Sequence, residues 1–311
     1  MQPAVKRITM QLPRAPSATP SGAAYAIAAY TCWGVFPLYF KAVAAVPAPV
    51  VLCHRILWSA LFMALWVAVT GRLGAVREAL RSKRVIGTLL ASTLLIACNW
   101  LVYIAAVAGG HVLEASLGYF INPLVNVAFG AIFLRERLSR RQAVAVALAL
   151  TGVVVLAVGS RVIPTISLVL AGTFATYGML RKRVAIDSAG GLFVETSMLI
   201  VPALAFLWFG GHASAVAATR GEVPWLLLIA AGPITALPLL WFANGARRLS
   251  MSLLGIFQYI SPTLQLGCAV LLFGERFTAV HAVTFAFIWA GVALFLADSV
   301  ARMKARPPRE A

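Results

Sequence analysis

The chain has 311 residues, of which 61% are hydrophobic and only 11% are charged, and its mean hydropathy is +0.91. A soluble domain carries about a quarter charged residues, and one globular core of this length cannot bury so much apolar surface. The composition excludes an ordinary soluble protein and predicts an all-α integral membrane protein.

The net charge of +17 comes from 26 Lys and Arg residues against 9 Asp and Glu residues. These bases form short clusters between apolar runs, without a basic face of interleaved aromatic residues, so nucleic-acid binding is not indicated. The four cysteines lie in apolar segments without C-x-x-C spacing and predict neither a disulfide framework nor a metal site. Phosphate-loop, dinucleotide, zinc-protease and serine-hydrolase motifs are absent, so we expect no enzyme, no cofactor and no ATP drive.

Ten segments are apolar enough to cross about 30 Å of hydrocarbon at about 1.5 Å per residue. The sixth is the weakest because it is short and interrupted by Gly172 and Gly178. In chain order the predicted spans are 22–40, 49–70, 86–107, 112–134, 142–160, 163–180, 191–210, 223–243, 250–273 and 278–298.

The distribution of Lys and Arg predicts the orientation of these spans, because cytoplasmic loops carry an excess of bases. With the N-terminus in the cytoplasm, 21 of the 26 bases fall in cytoplasmic loops or tails. The five exceptions are Lys41, Arg55, Arg161, Arg220 and Arg276. We therefore expect a bacterial inner-membrane protein with both termini in the cytoplasm.

An internal duplication relates the two halves of the chain at an offset of 139 residues. Pro123 corresponds to Pro262 and Gly152 to Gly291. Each repeat holds five spans, and an odd number means that the second copy enters the membrane from the opposite side. The predicted organisation is a cytoplasmic tail (1–20), a first five-helix repeat (21–160), a second, inverted five-helix repeat (161–299) and a cytoplasmic tail (300–311).

Six stretches spread between residues 22 and 298 resemble a known family. They are AYTCWGVFPLYFK (29–41), HRILWS (54–59), HVLEASLGYFINPLVN (111–126), FLRERL (133–138), RRLS (247–250) and QYISPTLQ (258–265). The chain resembles the drug/metabolite transporter superfamily with two EamA-type repeats, in particular the RarD, or chloramphenicol-sensitivity, branch. The resemblance implies a ten-helix fold, a central substrate cavity and export across the plasma membrane.

Polar residues inside a span are costly and are therefore candidates for function. Tyr119, Asn122 and Asn126 share one face of the fourth span, beside Pro123. Their counterparts in the second repeat are also polar: Gln258, Ser261 and Gln265. We interpret the two stripes as opposing walls of a substrate cavity; the alternative is hydrogen-bonded packing between helices.

One further polar pair lies on the third span. Asn99 and Tyr103 are four residues apart and therefore share a helical face. Because both side chains can hydrogen-bond and the tyrosine ring can stack, we add them to the candidate substrate-binding residues.

Four ionisable residues stand apart from the loops and are candidates for coupling or gating: His54, Arg55, Glu114 and Glu195. Arg55 and Glu114 both lie near the outer surface, so an ion pair between them is expected. Glu195 has no base in its own span to neutralise it and is the preferred proton carrier. The alternative is that all four are water-exposed charges at span ends. Glu136 and Glu275, which sit beside arginines, are interpreted as helix caps.

Together these features predict a secondary transporter that exports a small metabolite, an amino-acid-like compound or a drug. The expected partners are that substrate, the lipid bilayer and protons as coupling ion. A non-transporting membrane scaffold or receptor, and a facilitative channel, are the alternatives. A scaffold needs a long extramembrane surface, and a channel needs a continuous polar lining, whereas the polar stripes lie at mid-span only.

The first prediction concerns topology. A reporter enzyme that works only in the cytoplasm should be active after some loop positions and inactive after others, because the basic loops stay inside. It should be active after Arg84, Arg141, Arg183 and Arg309, and inactive after Gly110 and Ala218. A C-terminus exposed to the periplasm would contradict the ten-span arrangement.

Overall fold

The computed structural model of the chain describes residues 20–134, 138–181, 184, 186–211, 225–246, 248–249 and 251–305. These residues form helices and short connections without any strand. The helices are α1 (Pro20–Gly34), α2 (Phe36–Ala42), α3 (Ala48–Val69), α4 (Leu73–Ala79), α5 (Lys83–Ala108), α6 (Val112–Leu134), α7 (Arg140–Ser160), α8 (Thr165–Arg181), α9 (Ser188–Met198), α10 (Ile200–Phe206), α11 (Trp225–Ala246), α12 (Met251–Phe257), α13 (Ile260–Gly267) and α14 (Ala279–Ala305).

Nine helical segments of the described residues are long and apolar enough to cross a membrane. They are Ser21–Ala42, Ala48–Val69, Lys83–Ala108, Val112–Phe129, Arg140–Ser160, Ser188–Gly210, Trp225–Ala246, Leu254–Leu272 and Ala279–Asp298. The all-α membrane class is therefore confirmed. The sixth predicted span corresponds to α8, which has 17 residues and is just too short to join these nine.

The contacts of α8 support its interpretation as a spanning helix. The Ser167 hydroxyl donates to the Glu114 carbonyl oxygen over 2.6 Å near the start of both α8 and α6. Further along, the Asn122 amide donates to the Ala171 carbonyl oxygen over 3.4 Å. Contacts that advance together along both chains mean that α6 and α8 run parallel. Since α7 connects them, it must reverse direction between the two, as ten alternating spans require.

Short caps explain where several helices begin. Ser139 and Gln142 form a capping box at the start of α7, with each side chain bonded to the other's backbone N–H. The Asp187 carboxylate caps α9 by accepting from Gly190 N over 2.9 Å, and it also forms an ion pair with Arg72. Glu136 lies outside the described residues.

The two predicted proline-containing spans differ in shape. In the first repeat, α6 runs continuously through Pro123. In the second repeat, the helix is interrupted at residues 258–259, so that α12 and α13 replace one continuous span and Pro262 lies in the first turn of α13. Proline is tolerated in the first turn of a helix, because the N–H that it lacks has no partner there. A π-helical turn, Cys268–Leu272, follows α13.

The packing of α7 against α14 is the most extensive contact between helices in the described part of the chain. At its centre a Cβ atom added to Gly152 would lie 2.9 Å from the Thr284 carbonyl oxygen, and one added to Gly291 would lie 2.8 Å from the Ala145 carbonyl oxygen. Gly291 and Thr284 stand 139 residues after Gly152 and Ala145. The contact thus has the symmetry that the inverted repeat predicts, and it supports the proposed repeat boundaries.

The second prediction follows from this contact. Gly291→Ala should destabilise the protein by about 1–3 kcal/mol, because the added methyl group forces two closely packed helices apart. The measurement is the thermal unfolding midpoint of the purified protein in detergent. Gly172→Ala is the matched control, since nothing lies within 4 Å of an added Cβ atom there. Equal midpoints for both variants would contradict the tight contact.

Candidate substrate cavity

A cavity of about 400 Å³ lies inside the helical bundle. Both repeats contribute to it, through α1, α3, α5, α6 and α8 on one side of the lining and α9, α11, α12 and α13 on the other. Much of the wall is aromatic: Tyr30, Trp33, Phe36, Trp100, Tyr103, Tyr119, Phe174, Tyr177 and Phe242. The polar and charged members are Arg55, Asn99, Arg181, Ser188, Thr235, Gln258, Ser261 and Gln265.

The cavity differs at its two ends. Ser188 and Arg181 mark one end, where Ser188 is exposed, and the Arg72–Asp187 ion pair lies on the same side of the bundle. At the other end Tyr103 is only 4% exposed and packs edge-on against Phe40 with 5.7 Å between ring centroids. The cavity is therefore open towards Ser188 and closed beyond Tyr103.

The predicted residues of the first repeat that line the cavity are linked to one another. The Asn99 amide donates to the Leu170 carbonyl oxygen over 3.0 Å and to the Thr173 hydroxyl over 2.9 Å. Its carbonyl oxygen accepts from the Tyr119 hydroxyl over 3.3 Å. Tyr103 lies beside Tyr119, with 5.7 Å between the ring centroids.

The three predicted residues of the second repeat also line the cavity: Gln258, Ser261 and Gln265. The Gln265 amide nitrogen donates to the Trp33 carbonyl oxygen over 3.1 Å and to the Ser261 hydroxyl over 3.2 Å. It thereby joins α13 to α1. The Gln258 side chain forms no hydrogen bond with any described residue, and it is the most loosely held of the three.

Asn122 and Asn126 lie elsewhere, which corrects the expectation that the whole stripe faces the cavity. Asn122 is fully buried against α8. Asn126 is exposed on the outer surface of α6, and its amide donates to the Asn122 carbonyl oxygen over 2.8 Å. Successive residues turn by about 100° around a helix. Asn122 is therefore rotated by about 60° from Tyr119 and one turn further along, where α8 rather than the cavity faces it.

Arg55 is deeply placed in the cavity wall, with 5% of its surface exposed. Its Nε donates to the Thr235 hydroxyl over 2.9 Å. Its guanidinium carbon lies 4.2 Å from the Trp100 ring centroid and 5.4 Å from that of Phe40. The predicted ion pair with Glu114 is wrong: no carboxylate of the described residues lies within ion-pairing distance of this guanidinium.

Glu114 instead borders a second, separate pocket of about 210 Å³, together with His111, Glu275, Arg276 and His281. The Glu275 carboxylate accepts from Val112 N and Leu113 N, each over 2.7 Å. A residue of the second repeat thus caps the first turn of α6. This agrees with the interpretation of Glu275 as a cap.

His54 does not line the cavity. It is 8% exposed and packs edge-on against Trp225, with 5.6 Å between ring centroids. Its neighbour Arg55 faces the opposite direction, since adjacent residues on a helix differ by about 100°. The geometry gives His54 a packing role at the surface of α3.

Glu195 is 1% exposed and forms a buried cluster beside the cavity. It accepts from the Ser92 hydroxyl over 2.6 Å and from the Tyr177 hydroxyl over 3.2 Å. Arg181 Nε lies 3.7 Å from its carboxylate. The expectation that Glu195 has no neutralising base is therefore corrected, because the base comes from α8 rather than from its own span.

The sequence reasoning missed Arg181, Tyr177 and Thr235, which all line the cavity. Arg181 was counted only as a topology determinant, because it belongs to a basic cluster at a span end. Its neighbour along α8, Tyr177, matches Trp33 in the repeat pattern, and that match was the available signal. The hydroxyl of Thr235 gave no signal in an otherwise apolar span.

Comparison with known proteins places this geometry in a family. Residues 20–158 match the model of the EamA-like transporter family. The RarD protein of Escherichia coli K12 is 44% identical over 285 residues, which cover 91% of this chain and 96% of the relative. The uncharacterized transporter YojE of Bacillus subtilis 168 is also 44% identical, over 91% and 95% of the two chains.

A more distant relative of Pseudomonas aeruginosa, described as chloramphenicol-sensitive protein RarD, is 35% identical over 93% of this chain and 97% of its own length. A solved crystal structure shares the fold with a TM-score of 0.59 at 21% identity, covering 93% of this chain and 99% of that chain. Identity over nearly the whole length, nine apolar spanning helices and the family match agree. The chain is a multi-pass inner-membrane transporter that belongs to the EamA-like family of the drug/metabolite superfamily, in its RarD branch.

Proposed function

We propose that this transporter exports a small metabolite, amino-acid-like compound or drug from the cytoplasm by alternating access, with the central cavity as the substrate site. The observation that carries this proposal is the lining itself. Polar side chains from both repeats, such as Asn99 and Gln265, converge on one aromatic cavity that is open at a single end. A cavity closed at one end fits a transporter better than a channel, which needs a continuous pathway.

The open end faces the cytoplasm under the orientation predicted by the basic loops. Arg181 and Ser188 lie at this end, next to the Arg72–Asp187 ion pair. The structure then corresponds to an inward-facing state, which is the state that loads an exported substrate. Inverted repeats allow two packings of similar energy to exchange which end is open.

Two contacts between the repeats hold the outer end closed. The Tyr39 hydroxyl donates to the Leu227 carbonyl oxygen over 2.8 Å. Glu275 accepts from the first backbone N–H groups of α6. Both contacts join a residue of one repeat to a residue of the other, so an outward opening has to break or rearrange them.

Coupling to protons is the second part of the proposal, with Glu195 as the carrier. The carboxylate adjoins the cavity through Tyr177 and Arg181, which line it. A buried carboxylate is held in its charged form only by such partners, because burial penalises the charge. A movement of α8 that withdraws Arg181 would therefore favour proton uptake by Glu195, and the return movement would favour release.

The third prediction tests the cavity. Gln258→Ala should lower substrate transport by about three- to tenfold, the loss expected for one hydrogen bond to the substrate. Protein abundance should stay unchanged, because this side chain holds no described residue in place. Asn126→Ala is the matched control on α6 and should transport normally. The substrate itself is identified by untargeted metabolomics of cells that lack or overproduce the protein.

An equal loss of transport in both variants, or a loss explained by a fall in protein abundance, would contradict the cavity as the substrate site. A chain without any effect on metabolite distribution would instead favour the scaffold or receptor alternative.

The fourth prediction tests the coupling. Glu195→Gln keeps the side-chain shape and one acceptor for Ser92 or Tyr177, but it cannot bind or release a proton. In proteoliposomes this variant should still exchange substrate across the membrane while losing the acceleration that a pH gradient gives the unmutated protein. Glu78→Gln, on the exposed surface of α4, is the control and should behave like the unmutated protein.

Full acceleration by a pH gradient in Glu195→Gln would exclude this residue as the carrier. An unmutated protein that does not respond to a pH gradient would remove proton coupling altogether.

A further inference from the structure

We propose that the closed end of the cavity is an anion site, and that the transported substrates are small organic acids with one carboxylate on an apolar, planar body. Arg55 is the counter-ion for that carboxylate. This inference rests on the proposed transport function, because it names the chemical class of substrate for the same cavity. It depends on four features of the lining, taken in turn below.

The first feature is an uncompensated cation. A charged side chain within a span is costly unless it finds a partner, and a buried cation normally has a carboxylate beside it. Arg55 has one hydrogen bond, from its Nε to Thr235, and otherwise faces aromatic rings. Its two terminal nitrogens form no hydrogen bond with a described residue. They remain available for the two oxygens of a carboxylate, the geometry that arginine prefers.

The second feature is an unsatisfied donor next to Arg55. The Tyr103 hydroxyl is buried without a hydrogen-bond partner among the described residues. Tyr103 packs against Phe40, and Phe40 also lies under the Arg55 guanidinium. A buried hydroxyl without a partner is costly. A carboxylate bound to Arg55 would give this hydroxyl an acceptor.

The third feature is the charge of the lining. Arg55 and Arg181 line the cavity, and no Asp or Glu of the described residues does. Glu195 stands behind the wall and pairs with Arg181. The cavity therefore holds a surplus of positive charge beside Arg55, which favours an anion and disfavours an ammonium group. A zwitterion gains at one end only.

The fourth feature is the shape and chemistry of the remaining wall. Aromatic rings such as Trp33, Trp100 and Phe174 dominate it. Flat apolar surfaces of this kind bind planar apolar groups by stacking and by exclusion of water. The carboxylate end and the apolar body of one small molecule therefore match the two parts of the cavity.

Three probes of equal size separate charge from shape: para-nitrobenzoate, para-nitrobenzamide and para-nitrobenzylamine. The nitro-aromatic ring quenches tryptophan fluorescence, and Trp100 lies beside Arg55. In purified protein the acid should bind at least about tenfold more tightly than the amide, and the amine should bind more weakly still. Tightest binding of the amide or the amine would overturn the anion site.

Three variants locate the carboxylate. Arg55→Gln should weaken binding of the acid by about tenfold or more and leave binding of the amide unchanged, which also shows that the variant is folded. Tyr103→Phe removes a hydroxyl that has no partner, so it should weaken the acid several-fold without lowering thermal stability. Lys41→Gln, an equal change of charge at an exposed position outside the cavity, is the control.

Flux of the same probes in proteoliposomes separates this inference from the proposed function. Transport of the acid, lost in Arg55→Gln and retained in Lys41→Gln, supports both. Transport of the amide or amine in preference to the acid would overturn the anion site and leave the transport function standing. Binding of the acid without flux of any probe would overturn the transport function and leave the anion site standing. Unchanged binding of the acid by Arg55→Gln would exclude Arg55 as its counter-ion.

Discussion

The hydrocarbon core of a bilayer offers no hydrogen bonds, so every polar group within a span needs a partner inside the protein or a water-filled cavity. This constraint explains why side chains such as Ser167 and Asn122 bond to backbone carbonyls of neighbouring helices. Six buried side-chain atoms of the described residues have no partner, and three of them line the cavity. They are Tyr103 Oη, Arg181 Nη1 and Gln265 Oε1. The unsatisfied groups mark the place where a ligand supplies what the bilayer cannot.

The membrane class and most spans could be predicted because they depend on composition and length, which a sequence states directly. The predicted sixth span, 163–180, was the weakest, and α8 is indeed the shortest candidate, with 17 residues. The offset of 139 residues also had structural content, since Gly152 and Gly291 meet the carbonyl oxygens of corresponding residues. Which end of the cavity is open depends on the conformation, and no repeat pattern contains it.

The site was harder to predict, because helical periodicity tells which residues share a face but not what that face meets. Tyr119 and Asn122 share a stripe, yet the first reaches the cavity and the second reaches α8. The partners of charged residues depend even more on the fold. Arg55 and Glu114 lie at the same membrane level but in different pockets, and Glu195 meets a base from a helix whose basic end suggested topology alone.

The charge of the lining has a consequence for the energy source of transport. Arg55 and Arg181 belong to the protein and stay with it, so a bound organic acid is the charge that crosses the membrane. An anion that leaves an electrically negative cytoplasm moves down the membrane potential, which contributes about 2.3 kcal/mol per charge for each 100 mV. That contribution alone would sustain roughly a fiftyfold concentration difference. Export through this cavity would then be electrogenic, and its rate would respond to voltage without any contribution from Glu195.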